Sequence, residues 1–380
     1  MREETLGLRV IPKKGLDAYQ EPMKIALLNL QYDNNYGGNL QRYALMTVLQ
    51  RMGHDVTHLN LRFNFITCPW HHQCYLILRR LLSRIFKRNG CAIFPEYRRQ
   101  QEYMRSCAVT DVFYNKYIKH TKPIYSKKEL QKYQDFDAFI VGSDQVWRKT
   151  IAAIYGITTF FFDYLPVNNM TPRIAYGVSL GTGVNELNEE DLAVLTPLYR
   201  KFKAVSVRED SALKLFTDYV WDQPSAQLVL DPTLLLCKED YSQLINQSQT
   251  DDLPGNLFCY ILDMTDEKRE LIRSVEKEKG LNSFVISLNN EQPSVEQWLR
   301  YFRDSEYIIT DSFHGLVFST IFNKPFLLIN NEFRGNARFE SLTKILYKGT
   351  SVENPNWGVV NENIAVWRNK SLYFINISLS

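Results

Sequence analysis

At 380 residues the chain is long for one hydrophobic core, so two domains are expected. With 45% hydrophobic and 13% aromatic residues against 23% charged, it can bury substantial cores, which excludes a disordered chain. A net charge of +3 is too small to imply nucleic acid and no RNA- or DNA-binding signature is present, while the six scattered cysteines form no C-x-x-C pair and no disulfide framework.

The first 22 residues form a charged lead-in without the apolar stretch of a signal peptide, and no apolar run approaches the ~20 residues that span a bilayer. The expectation is a soluble cytoplasmic protein, or one peripheral to the inner face of a membrane. Lys24 to Leu30 is a largely apolar strand of the kind buried on both faces of a parallel sheet. The loop Gln31 to Asn39 holds adjacent glycines, a helix follows from Leu40 to Met52, and Val56 to Leu61 is the second strand. That loop lacks both the G-x-G-x-x-G fingerprint and the P-loop lysine, so a nucleotide reading from it is poor. Cys68, His71, His72 and Cys74 cluster in no established zinc spacing, and no metal is expected.

Cys74 to Arg88 reads as a helix of mixed apolar and strongly basic content. Two readings apply: a helix packed on the N-terminal domain with a solvated basic face, or a helix lying on an anionic membrane surface. Further short strands are expected at Phe136 to Val141, Arg173 to Ser179, Ala204 to Val207 and Gln227 to Leu230, with helices at Asp191 to Phe202 and Asp210 to Thr217. The polar stretch Asn246 to Asn256 reads as a linker. A second βα set follows: strand Leu257 to Leu262, helix Asp266 to Lys279, strand Ser283 to Ser287 and helix Val295 to Arg303. The chain therefore divides into an α/β Rossmann-like domain at 1–245, a linker at 246–256 and a second Rossmann-like domain at 257–380, whose tail has the option of packing back on the first. Two domains facing across a cleft on a polar linker are expected to move relative to one another.

The richest segment is Ile308-Ile309-Thr310-Asp311-Ser312-Phe313-His314-Gly315, a short strand turning into a helix. Asp311 or Ser312 can cap that helix, whose first N–H groups and dipole favour an anion. His314 can exchange a proton with whatever binds there. Asn323 to Ile329 reads as the next buried strand, and Gly335-Asn336-Ala337-Arg338-Phe339 opens another helix with a guanidinium in its first turn. Open α/β sheets bind ligands at such strand ends.

The Asp-Ser-Phe-His-Gly turn, the Lys324-Pro325-Phe326 strand and the Gly-Asn-x-Arg-Phe segment resemble the C-terminal half of the polysaccharide pyruvyl transferase family. The N-terminal half is similar to it in Asn35-Tyr36-Gly37-Gly38-Asn39-Leu40-Gln41, Gly142-Ser143-Asp144-Gln145-Val146-Trp147, Val207-Arg208-Glu209-Asp210-Ser211 and Asp231-Pro232-Thr233. The matches run in order from about Met23 to about Leu346. The resemblance implies the two-domain GT-B arrangement and an enzyme that moves the enolpyruvyl group of phosphoenolpyruvate onto a saccharide diol in surface polysaccharide biosynthesis. Phosphoenolpyruvate is then a co-substrate, no further cofactor is implied, and the saccharide acceptor has the option of a lipid carrier. It also implies His314 as acid/base and Arg208 as a ligand of the donor anion. Another branch of the family carries an arginine where this chain has Ser312, and Arg338 or Arg334 can replace that charge. Asp144 and Gln145 are expected to meet the acceptor, with Trp147 as a sugar platform and Asn39 and Gln41 lining the same cleft. The alternative is a GT-B glycosyltransferase using a nucleotide sugar, for which Glu332 and Glu340 are the candidate ribose ligands.

Overall fold

Strands that are apolar on both faces can be satisfied only inside a layered sheet, and two such sheets organise this chain. A computed structural model describes residues 21–66, 70–87, 94–181, 183–286, 292–329 and 336–380, with side chains throughout except in 70–73 and 84–87. The first sheet contains β1 (Lys24–Leu28), β2 (Asp55–His58), β3 (Ala138–Asp144), β4 (Arg173–Val178), β5 (Ala204–Val207) and β6 (Gln227–Leu228), in the order β2-β1-β3-β4-β5-β6. The second contains β7 (Leu257–Tyr260), β8 (Ser283–Ile286), β9 (Tyr307–Thr310) and β10 (Phe326–Leu328), in the order β10-β9-β7-β8. Every strand pairing among the described residues is parallel. Along β1, Ile25 and Leu27 enter one core while Ala26 and Leu28 enter another, so both faces of that sheet are covered.

The helices of the first half are α1 (Tyr36–Arg51), α2 (Trp70–Lys87), α3 (Pro95–Tyr117), α4 (Lys127–Leu130), α5 (Glu189–Tyr199), α6 (Asp210–Asp218) and α7 (Lys238–Asn246). Those of the second are α8 (Asp266–Lys279), α9 (Val295–Asp304), α10 (Phe313–Ile321), α11 (Ala337–Leu346) and α12 (Trp357–Leu379). The two halves are Rossmann-like domains facing across a cleft. The residues that follow β1, β3, β7 and β9 all open into that cleft.

Three differences from the sequence reading matter. Tyr36 to Asn39, expected in a loop, form the first turn of α1, because the Asn35 side chain accepts from the Gly38 N–H at 3.2 Å and starts the helix early. The long helices α3 and α12 had no counterpart in it. Helix α12 returns to the first domain: the Ser371 hydroxyl accepts from the Leu230 N–H (2.9 Å), and Arg368 donates to the carbonyls of Leu234 (2.9 Å) and Leu236 (3.0 Å).

The polar linker is pinned. The Gln297 amide bonds both backbone groups of Asp251, at 2.6 and 3.0 Å, and Arg300 donates to the carbonyls of Thr250 and Asp251. One apolar core runs from Leu27 and Leu40 of the first domain to Phe258, Trp298 and Phe318 of the second. Tyr36 stacks on Trp298, with ring centroids 5.1 Å apart, and donates to the Pro293 carbonyl at 2.6 Å. A continuous apolar interface of this kind opposes the hinge motion expected from the linker composition alone.

Candidate active site in the interdomain cleft

The cleft has a volume of about 540 Å³. Its N-terminal wall is built from Asp33, Asn34, Asn35 and Tyr36 after β1, and from Asp144, Gln145 and Arg148 at and beyond the end of β3. Its C-terminal wall comprises Tyr260, Leu262 and Asp263 at and beyond the end of β7, Asp311 to His314 after β9, and Arg338 and Phe339 of α11. Helices α1, α10 and α11 thus begin at the cleft, and neither α10 nor α11 has a side-chain cap on its first turn. Helix N-termini carry partial positive charge and aligned N–H groups, so this is a wall suited to an anion.

His314 lies at the centre. It is 8% exposed, and its buried Nε2 has no hydrogen-bond partner among the described residues. Its ring rests against the start of α1, where a Cβ on Gly37 would lie 2.0 Å from Nδ1. The absent side chain at Gly37 is what admits a C-terminal-domain histidine to the N-terminal wall. Gly315 serves the same turn from behind, since a Cβ there would lie 2.0 Å from Oγ1 of Thr310. Burial pushes His314 down to about 4, with Arg208 and Arg338 acting in the same direction and Asp231 and Asp144 opposing. At neutral pH the imidazole is uncharged and able to accept a proton.

Asp311 does not cap α10. It is fully buried, accepts from the N–H groups of Leu262 (2.7 Å) and Asp263 (3.2 Å), and pairs with Lys268 at 2.7 Å. It therefore ties the end of β9 to the end of β7. Ser312 occupies the cap position and faces the cleft without a side-chain cap bond.

Arg208, at the end of β5, is placed differently from expectation. Its Nη1 donates to Asp231 at 2.6 Å and its Nη2 to Asp144 at 2.9 Å, and its side chain is 1% exposed. It stands behind Asp144, with its guanidinium 5.1 Å from the Phe313 ring centre, and is not part of the cleft wall. Both of its terminal nitrogens bond carboxylates, an arrangement in which Arg208 supports Asp144 from behind. Burial, the largest single influence, would raise both carboxyl pKa values, but Arg208 together with His314 and the hydrogen bonds each carboxylate accepts outweighs it. Asp231 is held down at about 2, and Asp144 lies below the usual carboxylate range.

Asn39 and Gln41 also sit behind the wall. The Asn39 amide donates to the carbonyls of Asp33 (3.2 Å) and Asn35 (3.0 Å), and the Gln41 amide donates to Asp231 at 2.6 Å and Ser143 at 3.2 Å. Both side chains are buried scaffolding. Trp147 offers no face to a sugar: it is 1% exposed, stacks on Phe161 with centroids 4.5 Å apart, and donates its indole N–H to the Phe160 carbonyl at 3.1 Å. An aromatic cluster with Tyr199, Phe202 and Trp221 claims its remaining edges.

Asp144 and Gln145 do reach the cleft. Ser143 and Asp144 have φ of 29° and 67°, a left-handed conformation costly for residues with a Cβ, and this turn ends β3 and directs Asp144 inward. Arg338 lies on the opposite wall, 5.4 Å from the Phe313 ring centre; burial and then Arg208 push its pKa down to about 10. Arg334 and Glu332 lie outside the described residues, as do Cys68 and the side chains of His71 and His72. Among the described residues no cluster of three potential metal ligands occurs.

Asp33 was missed in the sequence. It lines the cleft just past β1, and its carboxylate accepts from the Asn35 N–H at 3.1 Å. Burial raises its pKa and Asp144 adds to the rise, against Arg42. Its position at a carboxyl strand end was the available signal.

The sequence pattern of the polysaccharide pyruvyl transferases matches residues 35–332, most of the chain. The chain belongs to the polysaccharide pyruvyl transferase family. The matched span takes in Asp144, Arg208 and His314 but begins just after Asp33 and ends before Arg338. No curated protein sequence matches it. Among solved structures it is similar to a UDP-N-acetylglucosamine 2-epimerase from Rickettsia bellii, at 9% identity over 94% of this chain and 97% of that one, with a TM-score of 0.46. It is also similar to a glycosyltransferase from Rickettsia africae ESF-5, at 11% identity over 94% and 97%, with a TM-score of 0.44. Likeness at that level carries no information about substrate.

Proposed function

We propose that the protein transfers the enolpyruvyl group of phosphoenolpyruvate to two hydroxyls of a saccharide, forming a pyruvate ketal in surface polysaccharide assembly. The observation that carries this reading is an uncharged, buried histidine where three helix N-termini meet in one cleft. The donor's phosphate and carboxylate lie against the first turns of α10 and α11, with Arg338 supplying the counter-charge and Ser312 a hydroxyl. An anion there relieves the burial and the Arg208 repulsion that disfavour the charged form of Arg338. The acceptor lies against the N-terminal wall, where ionised Asp144 and the Gln145 amide take hydrogen bonds from its hydroxyls.

The protons then balance within the site. As the first hydroxyl oxygen adds to C2, His314 takes its proton and Asp33, which burial keeps protonated more readily, gives one to the methylene carbon. The bond from C2 to phosphate then breaks, with protonated His314 returning its proton to the leaving phosphate. The second hydroxyl adds to C2 and its proton goes to the Asp33 carboxylate, which restores both groups. Phosphoenolpyruvate is the co-substrate and the balance needs no further cofactor. A lipid-carried acceptor on the cytoplasmic side is part of the same proposal. Incubating the protein with phosphoenolpyruvate and candidate saccharides should give an acceptor heavier by one pyruvate less one water, read by mass spectrometry. Addition of a sugar unit from a nucleotide sugar, with no product from phosphoenolpyruvate, contradicts the proposal.

A further inference from the structure

We infer that the α2–α3 hairpin seats the protein on an anionic lipid surface. Packing of the apolar side of α2, with its basic side in water, was one expectation from its sequence. Among the side chains described, apolar residues lie on both sides of the helix: Leu76 and Ile77 are partly buried and Arg79 is in water. Leu78, Leu81 and Leu82 are all exposed, Leu78 by 57%, and their spacing puts them on one stripe with Arg79 beside it. The opposite side is partly buried, and there Arg80 pairs with Glu96 in the first turn of α3, at 2.6 and 2.8 Å. Helix α3 adds a second outward stripe of Phe94, Tyr97 and Met104, the last 61% exposed, with Arg98 and Arg105 also in water. Large apolar side chains exposed in this way along two successive helices mark a candidate interaction site.

Charge selects the partner. Residues 70–117 contain nine Lys and Arg against three Asp and Glu, net +6, whereas the whole chain is +3 and the remainder therefore −3. All three acids of the hairpin are paired, Glu96 with Arg80, Glu102 with Arg98 and Asp111 with Arg62. Leucine stripes bordered by arginine suit the boundary between headgroups and acyl chains of an anionic leaflet, where cations are attracted over about a Debye length. No helix among the described residues is long and apolar enough to cross a membrane, so the attachment is peripheral.

The hairpin is also joined to the acceptor wall. Tyr103 of α3 donates to the carbonyl of Tyr32 at 2.7 Å, and the Tyr32 hydroxyl bonds Thr110 of α3 at 2.9 Å. Tyr32 immediately precedes Asp33. A lipid-carried saccharide would thus meet the cleft on the side that the hairpin supports. This purpose rests on the proposed function; the binding itself does not.

Flotation of the full chain with vesicles of phosphatidylglycerol and phosphatidylcholine in equal parts tests the inference. Wild type should float at low salt, float much less with phosphatidylcholine alone, and be released by salt. The doubly substituted Leu78→Asp, Leu82→Asp chain, altered only at exposed positions, should lose about tenfold or more of its bound fraction while keeping its turnover on a water-soluble acceptor. Absence of flotation, or equal flotation of the variant, overturns the inference. So does a wild-type dimer that the same substitutions split, because the stripe is then a protein interface. Turnover on the soluble acceptor is measured separately, so failure of the docking and failure of the pyruvyl transfer reading give different results.

Discussion

The two walls of the cleft hold similar charges in opposite ways. On the N-terminal side the charge is internally balanced: Arg208 is locked between Asp144 and Asp231, with Gln41 and Thr233 completing the shell around Asp231. On the C-terminal side the starts of α10 and α11 and the Arg338 guanidinium line the cleft itself. A balanced wall with projecting carboxylates suits a neutral polyol, and a positive one suits an anion. The difference teaches that an arginine beside a site is informative only together with its partners.

The largest expected effect falls where the walls meet. His314→Ala should lower turnover by about 10²- to 10⁴-fold while the protein stays folded; a drop of less than about tenfold would remove His314 from the chemistry. Next is the locked arginine. Arg208→Met leaves the buried Asp231 carboxylate, and Asp144 at the cleft, without their cation and should cost about 3–5 kcal/mol of stability, read from the denaturant midpoint. An intact midpoint with a raised donor constant would instead put Arg208 among the donor ligands.

A smaller effect concerns pH. Because the histidine is depressed to about 4, it stays an uncharged base well below neutrality. His314 should therefore contribute no acid limb to the acceptor's kcat/KM between about pH 5.5 and pH 7.5, whereas a histidine with an ordinary pKa near 6.5 would lose about tenfold at the lower value. An acid limb near pH 6.5 would show that the ring is solvated in the free enzyme. The smallest effect is on shape. The apolar core shared by both domains predicts the same X-ray scattering profile with and without saturating phosphoenolpyruvate, and a contraction would mean that this core is not a rigid joint.

How much of this was legible in the sequence depends on the distance over which each feature is decided. The strands were readable because burial on both faces leaves continuous apolar runs, and the turn at His314 because a strand end, a cap position and a glycine occur within a few residues. Ser312, His314, Arg338, Asp144 and Gln145 meet at one cleft as ends of separate strands and helices. The partners of Arg208 were not readable, since Asp144 and Asp231 are 64 and 23 residues away in the chain. Trp147 follows a turn whose φ values send Asp144 into the cleft, and no local pattern shows that the next side chains enter the aromatic core. Asp33 is a lone carboxylate in an expected loop, and its raised pKa comes from burial by the folded walls. Helix α12 mixes Asn and Ser among its apolar residues, because it packs on both domains and has no single dry face.

The division of the cleft is tested most directly by calorimetric titration of phosphoenolpyruvate into the wild type and two single variants. Arg338→Lys keeps a charge but loses the planar fork, and should weaken binding about tenfold or more. Asp33→Asn, on the other wall, should leave binding as tight as in the wild type or tighter, since it removes a potential negative charge. Binding weakened at Asp33 and unaffected at Arg338 would contradict the assignment of donor and acceptor walls, and binding of a nucleotide sugar in place of phosphoenolpyruvate would contradict the proposed reaction itself.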